Sequence, residues 1–156
     1  MSTEHLAQLI ETSPKGTLCI LDASFKPDGD AFEDFARGHI PGARFLDLGV
    51  CRDVQSAYPH MMPNQAYFVR IMKALDVRKS QTVVLYETGK GWFATRAAFM
   101  LWSFGHPKVR LLDGNLPKWQ SEGRPIDSHS DGIDEWATDF DYELDESKLL
   151  GFDSVK

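Results

Sequence analysis

The stretch 81–104 constrains this chain more than any other. Gln81-Thr-Val-Val-Leu-Tyr86 is β-branched and apolar along its length, the pattern of a strand buried on both faces. It passes through Glu87-Thr-Gly-Lys-Gly91 into a helix-period stretch, 92–104, whose apolar side carries Phe93, Ala97, Met100, Leu101 and Phe104. A strand covered on both faces needs helices above and below it, so the chain is restricted to α/β architectures.

The remaining segments fit that frame. Ser2 or Thr3 caps a first helix with Leu6, Leu9 and Ile10 on one face. An apolar strand over 17–21 ends at Asp22, and a short helix over 30–37 turns Phe32 and Phe35 inward before Gly38 stops it. A brief strand at 44–46 leads into an irregular stretch, 47–63, and then a helix over 64–75 carried by Phe68, Met72 and Leu75. A strand over 109–112, a turn at Asp113-Gly-Asn115 and a helix over 116–122, closed by Gly123, complete the periodic part. The expected fold is α/β, with a central, mostly parallel sheet flanked by helices on both faces.

Charge divides the chain. Residues 127–156 carry ten acids and two bases, which leaves 13 acids and 15 bases on residues 1–126, a net charge of +2 there. No basic stripe interleaves with aromatics, so nucleic acid is not an expected partner. No apolar run approaches the roughly 18 residues that span a bilayer, and the N-terminus has no signal-peptide pattern; the chain reads as cytoplasmic, with no membrane partner. Cys19 and Cys51 form no CxxC pair and no zinc spacing, so no metal or cofactor is implied.

In open α/β sheets ligands bind beyond the carboxyl ends of the strands. The loop Glu87, Thr88, Gly89, Lys90, Gly91, with Trp92 and Phe93 opening the helix, is therefore the first candidate site. Such a loop gathers backbone N–H groups, which suit an anion or a negatively charged nucleophile. Its GKG does not match the phosphate loop GxxxxGK[ST].

The stretch Gly38-His-Ile-Pro-Gly-Ala43 resembles the signature near the start of rhodanese domains. Tyr58-Pro-His-Met-Met-Pro63, Val83-Val-Leu-Tyr86, Ala94-Thr-Arg96, Gly105-His106, Leu111-Leu-Asp-Gly114 and Trp119 follow in that family's order. Their spacing is most similar to the first half of the two-domain thiosulfate and 3-mercaptopyruvate sulfurtransferases. The resemblance implies a rhodanese-like domain over 1–126, followed by an acidic inter-domain linker, 127–156, that opens a missing second domain. It also admits the mitochondrion as an address.

What the resemblance implies chemically is transfer of sulfane sulfur through a cysteine persulfide. In the family's active domain that cysteine opens the loop after the central strand, and backbone N–H groups stabilise its thiolate. Here the position is Glu87, and no cysteine lies in 87–96. A carboxylate cannot carry a transferable sulfur, so no catalytic residue is assigned and the loop reads as vestigial. Cys19, inside Leu-Cys-Ile-Leu, reads as a buried hydrophobe; Cys51, beside Arg52 in the irregular stretch, reads as the more accessible thiol.

The resemblance assigns substrate-facing or cleft-facing roles to His60, Tyr58 and Arg96. The matching histidine of the mercaptopyruvate branch reaches across the domain boundary; the acids that branch often carries at positions 49 and 59 are here Gly49 and Pro59. The simpler reading of Arg96 is an ion pair with Asp22 or Asp47, and that of His39 and His106 is a turn-fixing hydrogen bond. Trp92 and Phe93 are the best candidates for an apolar patch facing a second domain. The expected function is the non-catalytic half of a sulfurtransferase, forming one wall of the cleft with a catalytic rhodanese domain and a small sulfur donor as partners. The alternative is a stand-alone inactive module with a binding or regulatory role. Trp136, Phe140, Tyr142, Leu144, Leu149 and Phe152 among the acids of 127–156 argue for a segment either folded back on the domain or mobile, rather than a purely solvated tail.

Overall fold

Four parallel strands form the sheet: β1 (Leu18–Asp22), β2 (Ala43–Phe45), β3 (Thr82–Tyr86) and β4 (Val109–Leu111), in the order β2-β1-β3-β4. The computed structural model describes residues 1–129 and 140–149. Within them the helices are α1 (Thr3–Thr12), α2 (Ala31–Arg37), α3 (Gln65–Ala74), α4 (Trp92–Ser103) and α5 (Asn115–Ser121). The expected α/β architecture with helices on both faces is what the chain adopts.

Strand alternation sorts the core. Cys19 and Leu21 of β1 and Val83 and Leu85 of β3 join Phe68 and Met72 of α3 and Ala97, Met100 and Leu101 of α4 in one buried cluster. Ile20, Val84 and Tyr86 point the other way, into a cluster with Leu6 of α1, Phe35 of α2 and Leu116 and Trp119 of α5. The central strands are thus buried on both faces, as their continuous apolar runs require.

The helix starts follow from local chemistry. Ser2, Asp30 and Asn64 each accept an N–H from the first turn of the helix they precede. One expectation fails: Phe35 is buried, but Phe32 is 51% exposed. Three residues span about 300° of helix, so the two rings stand about 60° apart, and a seven-residue helix buries only the narrower stripe. Phe32 packs over the rim, against Phe35 and Phe45.

Residues 140–149 lie back on the domain. Phe140 and Tyr142 enter the α3/α4 cluster, and the Tyr142 hydroxyl donates to the Val77 carbonyl at 2.9 Å. Asp145 N–H donates to the Ser103 carbonyl at 2.9 Å, and Lys148 Nζ to that of Trp102 at 2.9 Å. These two donors satisfy carbonyls at the C-terminal end of α4, where a helix has orphan acceptors. Trp136 and Phe152 lie outside the described residues.

Candidate functional site

The carboxyl ends of the strands place Asp22 to Phe25, the 47–63 segment, the loop after β3 and the turn before α5 on one side of the sheet. The loop after β3 is organised around Glu87, which is 2% exposed. Its Oε1 accepts from Gly91 N–H at 2.6 Å, and its Oε2 accepts from the N–H groups of Phe93 and Ala94 at 2.7 Å each. Gly91, the N-cap of α4, has no side chain to cap the helix and takes a left-handed φ of +94°. The glutamate therefore supplies the cap from four residues upstream, with its negative charge at the positive end of the helix dipole.

The rest of the residue is equally engaged. Glu87 N–H donates to Asn115 Oδ1 at 3.2 Å, and the Glu87 carbonyl accepts from Leu116 N–H at 3.1 Å. Thr88 N–H donates to Ser24 Oγ at 2.9 Å. Gly89 suits the same packing, because a Cβ there would stand 3.0 Å from Glu87 Oε1 and press on the capping carboxylate. The cradle of N–H groups read from the sequence exists, and this carboxylate fills it.

On one side of the loop, Lys90, Thr95, Asp113 and Asn115 border an open depression of about 580 Å³. On the other, Phe25, Arg52, Tyr58, Pro59 and His60 line a groove of about 430 Å³. Here Phe25 lies 5.0 Å edge-on from the His60 ring and 5.0 Å from that of Phe93. Tyr58 and Trp92 are 72% and 73% exposed, and Val54 and Met61, near Tyr58 in the chain, are exposed too. The structure thus brings His60 and Tyr58 to one groove, with Phe93 packed against its Phe25, while Gly89, Lys90 and Gly91 border the other depression.

Arg96 ion-pairs with neither acid suggested for it. Asp22 Oδ1 accepts from Ser24 N–H and Asp47 Oδ1 from Gly49 N–H, each at 2.8 Å. The Arg96 guanidinium instead donates to the carbonyl of His60 and, at 3.4 Å, to that of Met61. Burial pulls its pKa below the ordinary arginine value.

Cys51 is not the accessible thiol expected. It is fully buried, because Asp47 draws the chain into a turn: the Asp47 carbonyl accepts Cys51 N–H at 2.8 Å. Its Sγ lies 3.7 Å from Met100 Sδ. Burial pushes the Cys51 thiol up to about 12 despite the nearby Arg96, and Cys19 is pushed to about 12 for the same reason. His39 and His106 are buried and bond backbone carbonyls, His39 Nδ1 to Phe35 at 2.7 Å and His106 Nε2 to Arg78 at 3.1 Å. Sequence reasoning missed Phe25, Ser24 and Asn115. Only their position just beyond strand ends could have drawn attention to them.

Among the described residues, no helix is long and apolar enough to cross a membrane, and no group of three or more His, Cys, Asp or Glu converges as a metal site would require. The profile of the rhodanese-like domain matches residues 2–122. The chain is 35% identical over 131 residues to thiosulfate sulfurtransferase of Gallus gallus, covering 81% of this chain and 45% of that protein. It is 37% identical over 135 residues to 3-mercaptopyruvate sulfurtransferase of Rattus norvegicus, with 82% and 45% covered. Among solved structures, SseA from Escherichia coli, a 3-mercaptopyruvate sulfotransferase, superposes with a TM-score of 0.90 at 28% identity, over 99% of this chain and 59% of that one. The chain spans less than half the length of these curated relatives.

Proposed function

The chain belongs to the rhodanese-like domain family, and on that premise we propose that it is the non-catalytic half of a two-domain sulfurtransferase. The complete protein moves sulfane sulfur from thiosulfate or 3-mercaptopyruvate to cyanide or a thiol. The carrying observation is Glu87. At the position where the family's active domain has its cysteine, this chain has a carboxylate that already occupies the N–H groups of Gly91, Phe93 and Ala94. No nucleophile is available there, and both cysteines are buried with raised pKa values.

The partner is a cysteine-bearing rhodanese domain, and the face it covers is the groove side of the loop. Tyr58, which lines the groove, and Met61, beside His60 in the chain, are both exposed and give that face its apolar character, and exposed Trp92 opens α4 next to the loop. His60 and Tyr58 face the cleft and the anionic sulfur donor, with Arg96 behind them. The test is to assay the chain alone with thiosulfate and cyanide, then mixed with a separately produced cysteine-bearing domain of a two-domain relative. We expect no turnover alone, and in the mixture both binding and a change in Trp92 fluorescence. Turnover by the chain alone that Cys51→Ser abolishes would overturn the reading, as would failure of the two domains to associate.

A further inference from the structure

His60 carries a strain that its own loop does not explain. Its φ is +59°, in the left-handed region that non-glycine residues rarely adopt, so the surroundings must hold it there. Within the loop, the backbone bond that reaches residues 60–61 is that of Asp53 N–H to the Met61 carbonyl at 3.0 Å. The second support comes from α4, where Arg96 donates through one terminal nitrogen to the His60 carbonyl and also reaches the Met61 carbonyl.

We infer that Arg96 is a positioning residue for His60: by holding two successive carbonyls it fixes the strained backbone that aims the imidazole into the groove. Anchoring the carbonyl of a residue limits rotation about its ψ and so sets the direction of its Cα–Cβ bond. The ring then meets Phe25 edge-on at 5.0 Å and Phe93 at 6.5 Å. Among the described residues its Nδ1 is buried without a hydrogen-bond partner. A guanidinium suits this task because its charge stays fixed and its donors are rigidly disposed. Because α4 begins at the Glu87-capped loop, the same helix ties the vestigial loop to the groove. The functional consequence rests on the cleft-facing role proposed for His60; the conformational claim does not.

Histidine-resolved carbethoxylation by diethylpyrocarbonate tests it, with each site read by peptide mass spectrometry. His5 and His129 are exposed and His39 and His106 buried, so the chain carries its own controls. Arg96→Gln should speed modification at His60 by ~threefold or more through local loosening, with the other four sites unchanged. An unchanged rate at His60, or acceleration at His39 and His106 in step with it, would overturn the inference. Arg96→Lys keeps a donor and the charge if the Gln chain folds poorly, but its ammonium ends nearer the helix than the guanidinium nitrogen, so its His60 should react at an intermediate rate; a wild-type rate there would overturn the inference. In the mixture with the cysteine-bearing domain, Arg96→Gln should raise KM for 3-mercaptopyruvate in the His60 chain and add nothing in a His60→Gln chain. Equal effects in both backgrounds would separate Arg96 from His60. A His60→Gln chain with unaltered kinetics would sink the cleft role of His60 while leaving the carbethoxylation result to judge Arg96.

Discussion

Replacing Glu87 with Ala removes the acceptor of three N–H groups at once. Losing a helix N-cap costs about 1 kcal/mol, and a buried donor left without a partner costs about 1–3 kcal/mol. Ala94 is buried, whereas Gly91 and Phe93 are only half-buried, so water can replace the carboxylate at two of the three donors. Removing a buried charge also relieves its own desolvation, which keeps the net loss to about 3 kcal/mol. For a chain of 156 residues each kcal/mol lowers Tm by about 2–4 °C, so the expected fall is about 6–12 °C. Glu87→Gln keeps the shape but presents an NH₂ to one set of donors, and about half the loss is expected. Calorimetry on the three chains, with urea unfolding followed by tryptophan fluorescence, measures both. A Glu87→Ala chain within about 0.5 kcal/mol of wild type, the range of an ordinary surface substitution, would refute the capping argument.

Four further outcomes follow from particular contacts. Glu87→Cys places a thiol at the head of the same N–H groups, and it should alkylate with iodoacetamide near neutral pH while Cys19 and Cys51 stay unreactive until the chain is unfolded; equal labelling of all three thiols would contradict this. The folded pKa values of Cys19 and Cys51 are raised to about 12, so their contribution is complete below the unfolded thiol pKa and is lost as pH rises toward 12. Over that window stability should fall by about 1.4 kcal/mol per pH unit for each thiol, a slope that a Cys19→Ala, Cys51→Ala chain should flatten in urea titrations. Asp22 is fully buried and its pKa is raised by that burial. Its ionisation therefore opposes folding, so Asp22→Asn should match wild type below the unfolded carboxyl pKa, gain on it as pH rises through the folded one, and level off above; an offset already present at the acid end and unchanged with pH would contradict the assignment. Tyr142→Ala should cost about 3–5 kcal/mol, as a buried aromatic in a core does, and Tyr142→Phe about 1 kcal/mol for the bond to Val77, both read from urea midpoints.

The strands and main helices were legible because they rest on period and on caps, which are local. A run such as Thr82–Tyr86 has no alternation of apolar and polar residues, its Val83, Val84 and Leu85 being apolar in succession, so it reads as central. The misread residues are those whose neighbours come from elsewhere in the chain. Cys51 lies in a stretch with no period, and only the turn made by Asp47 carries it inward. Arg96 was matched to acids because charge complementarity is visible in a sequence, whereas its actual acceptors, two carbonyls of another loop, leave no trace in residue type. The acidic stretch after residue 126 was legible only in its apolar content; that Tyr142 reaches Val77 and Phe68 depends on the surface it meets.

An acid at position 87 suits the geometry of the loop. A backbone that turns from a buried strand into a helix through a left-handed glycine points several N–H groups at one spot, whatever residue stands there. In the family's active domain a sulfur anion answers them. An apolar residue in its place would leave the N–H groups of Gly91, Phe93 and Ala94 converging on nothing, one of them buried. A short polar side chain could reach only part of the set. Glutamate has the length and the two oxygens to bond all three, with a Gly89 that leaves it room. A loop suited to holding an anion is thus kept folded by an internal one, whose two oxygens occupy the N–H groups of Gly91, Phe93 and Ala94.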